Sequence, residues 1–122
     1  KKYFIAICKT KNANVDKKSM IHSEGINHHK FNFKDRVLFR LNKFLDYSKK
    51  LHNAQIFWKS VKNNIPRTNS SYDIAIAWGQ GFATYYVAEK INALKKFAWV
   101  NTDYEKAGYY WKADKKIYEN FN

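Results

Sequence analysis

The sequence predicts an α/β domain built around a parallel β-α-β unit. Ile74–Trp78 is apolar at every position, which is typical of a central strand covered on both faces. Phe97–Val100 is a second fully apolar run, and the segment between the two runs has the apolar spacing of a helix. Strand, helix and strand together fit one right-handed crossover unit, which takes about 30 residues.

The composition indicates one packed domain with a strongly basic surface. The chain has 122 residues, 45% of them hydrophobic and 18% aromatic, so we expect residues 1–122 to form a single domain. The 23 basic and 10 acidic side chains give a formal net charge of +13. This surplus favours anionic partners such as nucleic acid, an acidic membrane surface or phosphorylated substrates, although a solvated lysine-rich surface would give the same count.

Cysteine usage indicates a reducing setting. The only cysteine, Cys8, excludes an intrachain disulfide and suits a small buried residue in a cytoplasmic protein. No apolar stretch approaches the roughly 18 residues that span a bilayer. The first residue is Lys1, which leads us to expect a piece of a longer protein.

The amino-terminal half predicts a strand followed by a polar segment. Lys2–Cys8 is rich in β-branched and aromatic residues, as in a strand. Thr10–Lys30 contains many turn formers and is expected to be irregular, with a short strand at Ser19–His22 as an option. His22, His28 and His29 invite a metal site, but only Glu24 could join them, so we predict no metal and a solvated loop.

Two helices are predicted next. Helical spacing starts at Lys34 and lasts to about His52. Its apolar stripe consists of Val37, Leu38, Leu41, Phe44, Leu45 and Ser48. Ala54–Lys62 continues helically, with Ile56, Phe57 and Val61 expected in the core. Pro66 then ends the element.

The carboxyl-terminal half predicts the crossover helix and a final short helix. Phe82–Leu94 forms the first, with Glu89 and Lys90 turned outward. Its inner face is expected to carry Ala83, Val87, Ile91 and Leu94. Gly108 marks a turn, and Ala113–Phe121 predicts a helix with Ile117, Tyr118 and Phe121 facing inward.

Both predicted parallel strands end in polar loops. Gly79–Gly81 follows the first strand and Asn101–Asp103 the second, so the two loops should meet at the carboxyl edge of the sheet, where ligands bind. Glycines allow close approach of a ligand, Gln80 can donate and accept, and the N–H groups around Phe82–Thr84 attract anions or hydroxyl groups. A tight strand-to-helix turn would require the same small residues.

A dinucleotide site is a weaker alternative for this loop. The G-x-G-x-x-G fingerprint maps onto Gly79, Gly81 and Thr84, so the third glycine is missing. An acidic residue should follow about 20 positions on, and Asp103 stands at roughly that distance. Asp103 could instead be a general base, a hydroxyl-binding carboxylate or a cap for the following turn.

Residues 72–109 have the sequence YDIAIAWGQGFATYYVAEKINALKKFAWVNTDYEKAGY. This segment resembles the amino-terminal domain of bacterial retaining glycosyltransferases of family 4 that build capsule or lipopolysaccharide. The similar pieces are YD before an apolar strand, the G-Q-G-F loop, a helix with VA-x-K, and KK-x-AW-V followed by Asn-Thr-Asp. The resemblance is close over Tyr72–Asn122, weaker over Phe31–Val61 and slight before that.

This resemblance implies a Rossmann-like parallel sheet flanked by helices, the acceptor-side half of a two-lobed GT-B fold. It implies that Gly79, Gln80, Gly81, Phe82, Asn101, Thr102 and Asp103 line a cleft for the sugar substrate, with Asp103 as the candidate catalytic group. Many relatives have histidine where this chain has Asn101, which keeps hydrogen bonding but removes proton transfer.

The family's second lobe is absent from a chain of this length. That lobe supplies the basic residue and glutamates that bind the nucleotide sugar, so we expect no cofactor here and no transferase activity from these residues alone. The implied partners are the missing lobe and a saccharide or lipid-linked acceptor, in a cytoplasmic protein that attaches peripherally to the anionic inner face of the plasma membrane.

Aromatic residues alternate with lysines in the carboxyl-terminal segment. They are Tyr104, Tyr109, Tyr110, Trp111, Tyr118 and Phe121. Such side chains could stack nucleobases, lie at a membrane interface, or cover the sheet and a missing lobe. A basic nucleic-acid-binding module therefore remains an alternative, although no nucleic-acid motif such as an aromatic RNP strand is present.

Overall fold

The structure is a computed structural model that describes residues 4–8 and 32–122. Its elements in chain order are β1 (Phe4–Cys8), α1 (Phe33–Leu45), a 3₁₀ turn (Tyr47–Lys49), α2 (Asn53–Val61), β2 (Ser71–Trp78), α3 (Phe82–Lys90), β3 (Asn92–Trp99) and α4 (Trp111–Tyr118). The described strands form one sheet in the order β1-β2-β3. β2 is parallel to β3 and antiparallel to β1. The predicted α/β class and β-α-β unit are confirmed, as a small Rossmann-like domain.

Helix α3 is the centre of the core. Every residue from Phe82 to Ala88 is buried, because the helix packs between the sheet and helices α2 and α4. Ala75 and Ala77 of β2 are fully buried, and small side chains there let the helix approach the strand closely. Trp58 of α2 meets the Phe82 ring edge-to-face, with centroids 5.4 Å apart.

Helix α1 packs against the core by its polar side. Asp35 is 1% exposed and accepts a hydrogen bond from the Asn64 amide at 2.6 Å. The amide of Asn42 donates to the Ser60 hydroxyl at 2.9 Å. The predicted apolar stripe is consequently on the opposite side of the helix and lies in solvent. The periodicity identified the helix correctly, but it did not tell which side faces the core.

One expectation for the β-α-β unit is wrong, and a second is met on one face of the sheet. Leu94 does not lie on the inner face of the crossover helix, because the helix ends at Lys90 and Leu94 is a strand residue that is 80% exposed. Among the described residues, α3 covers one face of the central strand, and Ile74 and Ile76 on the other face are half-buried. Ala75 and Ala77 are buried beneath α3, whereas Trp78 on the other face is 53% exposed and stacks on Trp99, with centroids 5.1 Å apart.

Of the remaining structural predictions, several are confirmed and those for one segment lie outside the described residues. The first strand is confirmed as β1, and Ile56 and Val61 of α2 are buried while Phe57 is half-buried. Gly108 has φ +81° in a turn, and α4 places Ile117 against the core. The irregular segment Thr10–Lys30, its optional strand and the three clustered histidines lie outside the described residues.

Candidate functional site

The two predicted loops lie together at the carboxyl edge of the parallel strands. The amide of Gly79 donates to the carbonyl of Trp99 at 2.9 Å, which continues the β2–β3 ladder into the loops. The Gln80 side chain then joins them from both ends. Its Oε1 accepts from the Asn101 backbone N–H at 3.2 Å, and its Nε2 donates to the Thr102 hydroxyl. Gln80 therefore fixes the position of Asn101 and Thr102, both of which are exposed.

The two glycines of the first loop play different parts. A Cβ at Gly79, where φ is +103°, would meet the Asn101 amide nitrogen at 3.3 Å, so Gly79 lets the second loop approach. Gly81 is buried, with φ +92°, and a Cβ there would meet the Tyr109 hydroxyl at 2.8 Å. Tyr109 thus occupies the space beside Gly81 that a pyrophosphate would need, which weighs against the dinucleotide alternative.

Phe82 and Asp103 serve the local structure. Phe82 is buried in the aromatic core against Trp58 and Tyr86. Asp103 is half-exposed, and its carboxylate accepts from the Lys106 backbone N–H at 3.1 Å and pairs with the Lys106 ammonium at 3.3 Å. This is the capping arrangement named among the sequence-based options, and Asn101 and Thr102 are exposed beside it.

The segment that follows is held against α2. The Gln55 side-chain amide donates to the Tyr110 carbonyl at 2.9 Å, and its oxygen accepts from the Tyr110 N–H at 3.2 Å. The His52 ring stacks on Tyr109 with centroids 4.1 Å apart. These contacts fix the turn between the sheet edge and α4, and so the position of Trp111.

A buried carboxylate beside this turn was not anticipated from the sequence. Asp114 is 4% exposed and accepts hydrogen bonds from the hydroxyls of Tyr85, at 2.8 Å, and Tyr104. Burial, reinforced by the Asp114 carboxylate, raises the pKa of both tyrosine hydroxyls far above its usual range. Both tyrosines therefore remain protonated donors at any ordinary pH.

An apolar pocket of about 360 Å³, which we call the aromatic pocket, opens next to Asn101–Asp103. It is lined by Val100, Tyr104, Glu105, Trp111 and Tyr118. The ring of Tyr104 lies edge-to-face with both Trp111 and Tyr118, at centroid distances of 6.1 and 5.9 Å. Burial raises the pKa of Tyr118 to about 12. The tyrosine hydroxyls are directed into the protein, so the pocket presents mainly ring surfaces.

Such a pocket suits the binding of a sugar ring. The C–H groups on one face of a pyranose pack on aromatic rings. Its volume is at the lower end of the range for small-molecule sites, about 300 to 1,000 Å³. The aromatic residues of the carboxyl-terminal segment were noted in the sequence as possible binding residues. That several of them line one pocket could be seen only in the structure.

Among residues 4–8 and 32–122, no three His, Cys, Asp or Glu side chains come together as a metal site. Across the same part of the chain, no helix is long and apolar enough to cross a bilayer.

No protein family, curated protein or solved structure matches this chain.

Proposed function

We propose that this chain is the acceptor-side domain of a retaining glycosyltransferase. The full protein would move a hexose from a nucleotide sugar to a saccharide or lipid-linked acceptor during cell-surface polysaccharide synthesis. The observation that carries the proposal is the aromatic pocket beside the Asn101–Thr102 loop, at the edge of a parallel sheet where ligands of such folds bind. A lipid-linked acceptor would bring the cytoplasmic enzyme to the inner face of the plasma membrane.

The groups at this edge of the sheet suggest which residues would bind each part of the acceptor. Trp111 and Tyr104 would receive the acceptor's ring, while Asn101 and Thr102, held by Gln80, would hydrogen-bond its hydroxyl groups. The nucleotide of the donor would be bound by a second lobe facing this edge. Residues 1–122 alone would therefore bind saccharide but transfer none.

The test is sugar transfer by the full-length protein. It would be incubated with a panel of nucleotide hexoses and with saccharide or lipid acceptors, and release of the nucleotide would be compared with and without acceptor. Acceptor-dependent release is expected, and its absence for every donor would contradict the proposal.

The variant Asp103→Asn tests the candidate catalytic group, because asparagine keeps an oxygen that can cap the turn. A large loss of transfer in this variant would assign Asp103 a catalytic role, and near-normal transfer would exclude one.

A further inference from the structure

Helix α1 exposes a continuous apolar surface. Phe33 and Phe44 are 80% exposed and Leu45 is 61% exposed. Three more side chains of the stripe, each between 40% and 50% exposed, join them: Val37, Leu38 and Leu41. We call these six residues the α1 surface. Large side chains exposed next to one another mark an interaction site more often than isolated exposed ones do.

The orientation of α1 is fixed by specific polar contacts. Asp35, Asn42 and Asp46 follow one another along the side that faces α2. Each has a partner there: Asn64 for Asp35 at 2.6 Å, Ser60 for Asn42 at 2.9 Å, and Lys59 for Asp46 at 2.5 Å. Turning the apolar side inward would leave these buried polar groups without partners, so the outward orientation of the stripe is the stable one.

The charge beside the α1 surface has one sign. Arg36, Arg40 and Lys43 have the i, i+4, i+7 spacing of one flank of the helix. Among the described residues of this region, the carboxylates are those of Asp35 and Asp46, which are 1% and 3% exposed and lie on the opposite side. The exposed α1 surface therefore consists of apolar side chains bordered by positive charge.

We propose that the α1 surface docks on an anionic lipid surface, with the helix lying in the plane of the headgroups. The phenyl and leucyl side chains would enter the boundary between headgroups and acyl chains, while the flank of Arg36, Arg40 and Lys43 contacts lipid phosphates. An anionic membrane supplies both an apolar layer and negative charge over this length. The described part of a second copy would supply no acidic counterpart on this face, because Asp35 and Asp46 are buried there. This inference does not depend on sugar transfer.

The test is co-flotation of the full chain with vesicles. Vesicles of phosphatidylcholine alone would be compared with vesicles that also contain phosphatidylglycerol, at low and high salt. Binding is expected only with the anionic lipid and should weaken as salt screens the charges.

Paired variants separate the apolar from the electrostatic contribution. Phe44→Ser should weaken partitioning about tenfold or more, because it removes one inserted phenyl group. The control Leu94→Ser changes an equally exposed residue on β3 and should have no effect. Arg36→Gln with Arg40→Gln should weaken binding about 25-fold, roughly fivefold for each charge at an anionic surface. Its control, Lys115→Gln with Lys116→Gln on α4, should change binding much less.

Three results would overturn the proposal. One is equal binding to neutral and anionic vesicles, or none to either. Another is a concentration-dependent dimer in sedimentation that Phe44→Ser abolishes, since a second copy would then cover the helix. The third is a Tm lowered by several degrees in Phe44→Ser without vesicles, which would mean that another part of the chain buries this side chain.

Discussion

The hydroxyl of Tyr104 donates a hydrogen bond to the buried carboxylate of Asp114. This contact orients the Tyr104 ring so that its surface lines the aromatic pocket rather than the core. A buried carboxylate is costly unless it accepts hydrogen bonds, and two tyrosine hydroxyls donate to Oδ2 of this one. The network therefore supports both the stability of α4 and the shape of the pocket.

Asp114→Ala should destabilise the protein by about 2 to 4 kcal/mol, because it leaves the hydroxyls of Tyr85 and Tyr104 without an acceptor. Asp114→Asn, which retains one oxygen acceptor, should cost less. Urea unfolding measures both. A loss below about 0.5 kcal/mol for the alanine variant, within the range of an ordinary surface substitution, would show that the network contributes little.

The stability of the α1–α2 contact should depend on acid pH through Asp46. The hydrogen bond from Lys59, with a further contribution from Lys49, lowers the pKa of Asp46 below its usual value of 3.8. Because the folded pKa is below the unfolded one, ionised Asp46 stabilises the fold above about pH 4, and this contribution is lost as the pH falls through the folded pKa.

Asp46→Asn should therefore flatten the decline of stability below about pH 4 and lower stability at neutral pH by no more than about 1 kcal/mol, since both lysines are half or more exposed. Thermal unfolding from neutral to acid pH compares the two proteins. Parallel curves would rule out this ion pair as a source of acid sensitivity.

Gly81→Ala should be much more disruptive than Gly108→Ala. Both residues have positive φ, so each alanine carries backbone strain of about 1 kcal/mol or more. Only the Cβ at residue 81 would also collide with Tyr109, whereas the nearest atom to a Cβ at residue 108 is 4.0 Å away. Tyr109→Phe should partly relieve the Gly81→Ala variant. Equal unfolding free energies for the two alanine variants would contradict the close packing of Tyr109.

The β-α-β unit could be predicted from the sequence because its strands are unbroken apolar runs. The limits of its helix could not, since Leu94 continues the helical spacing of Val87 and Ile91 although the chain is already extended at Ile91, with ψ 133°. Spacing records which side chains share a face, and it does not record where the backbone changes conformation.

Which side of α1 faces the core could not be predicted from the sequence, for a different reason. Hydrophobic patterning assumes that the apolar face is inward, but Asp35 and Asn42 pair with Asn64 and Ser60, 29 and 18 residues further along the chain. Long-range polar pairs of this kind have no local signature. The meeting of the two loops at Gln80, in contrast, follows from parallel topology alone and was predictable.

The most direct test of the central claim is a saccharide titration of this chain followed by NMR of the indole N–H groups of its four tryptophans. Methyl hexopyranosides, added to about 100 mM because a small ligand is expected to bind with a Kd near 1 mM or weaker, should shift the Trp111 signal in a saturable way. Trp111→Ala should weaken binding about two- to tenfold through loss of the aromatic contact. Trp99→Phe, on the exposed sheet face, should leave binding unchanged. A response confined to Trp78 and Trp99, or a response to tetramethylammonium but to no sugar, would contradict a saccharide site in the aromatic pocket.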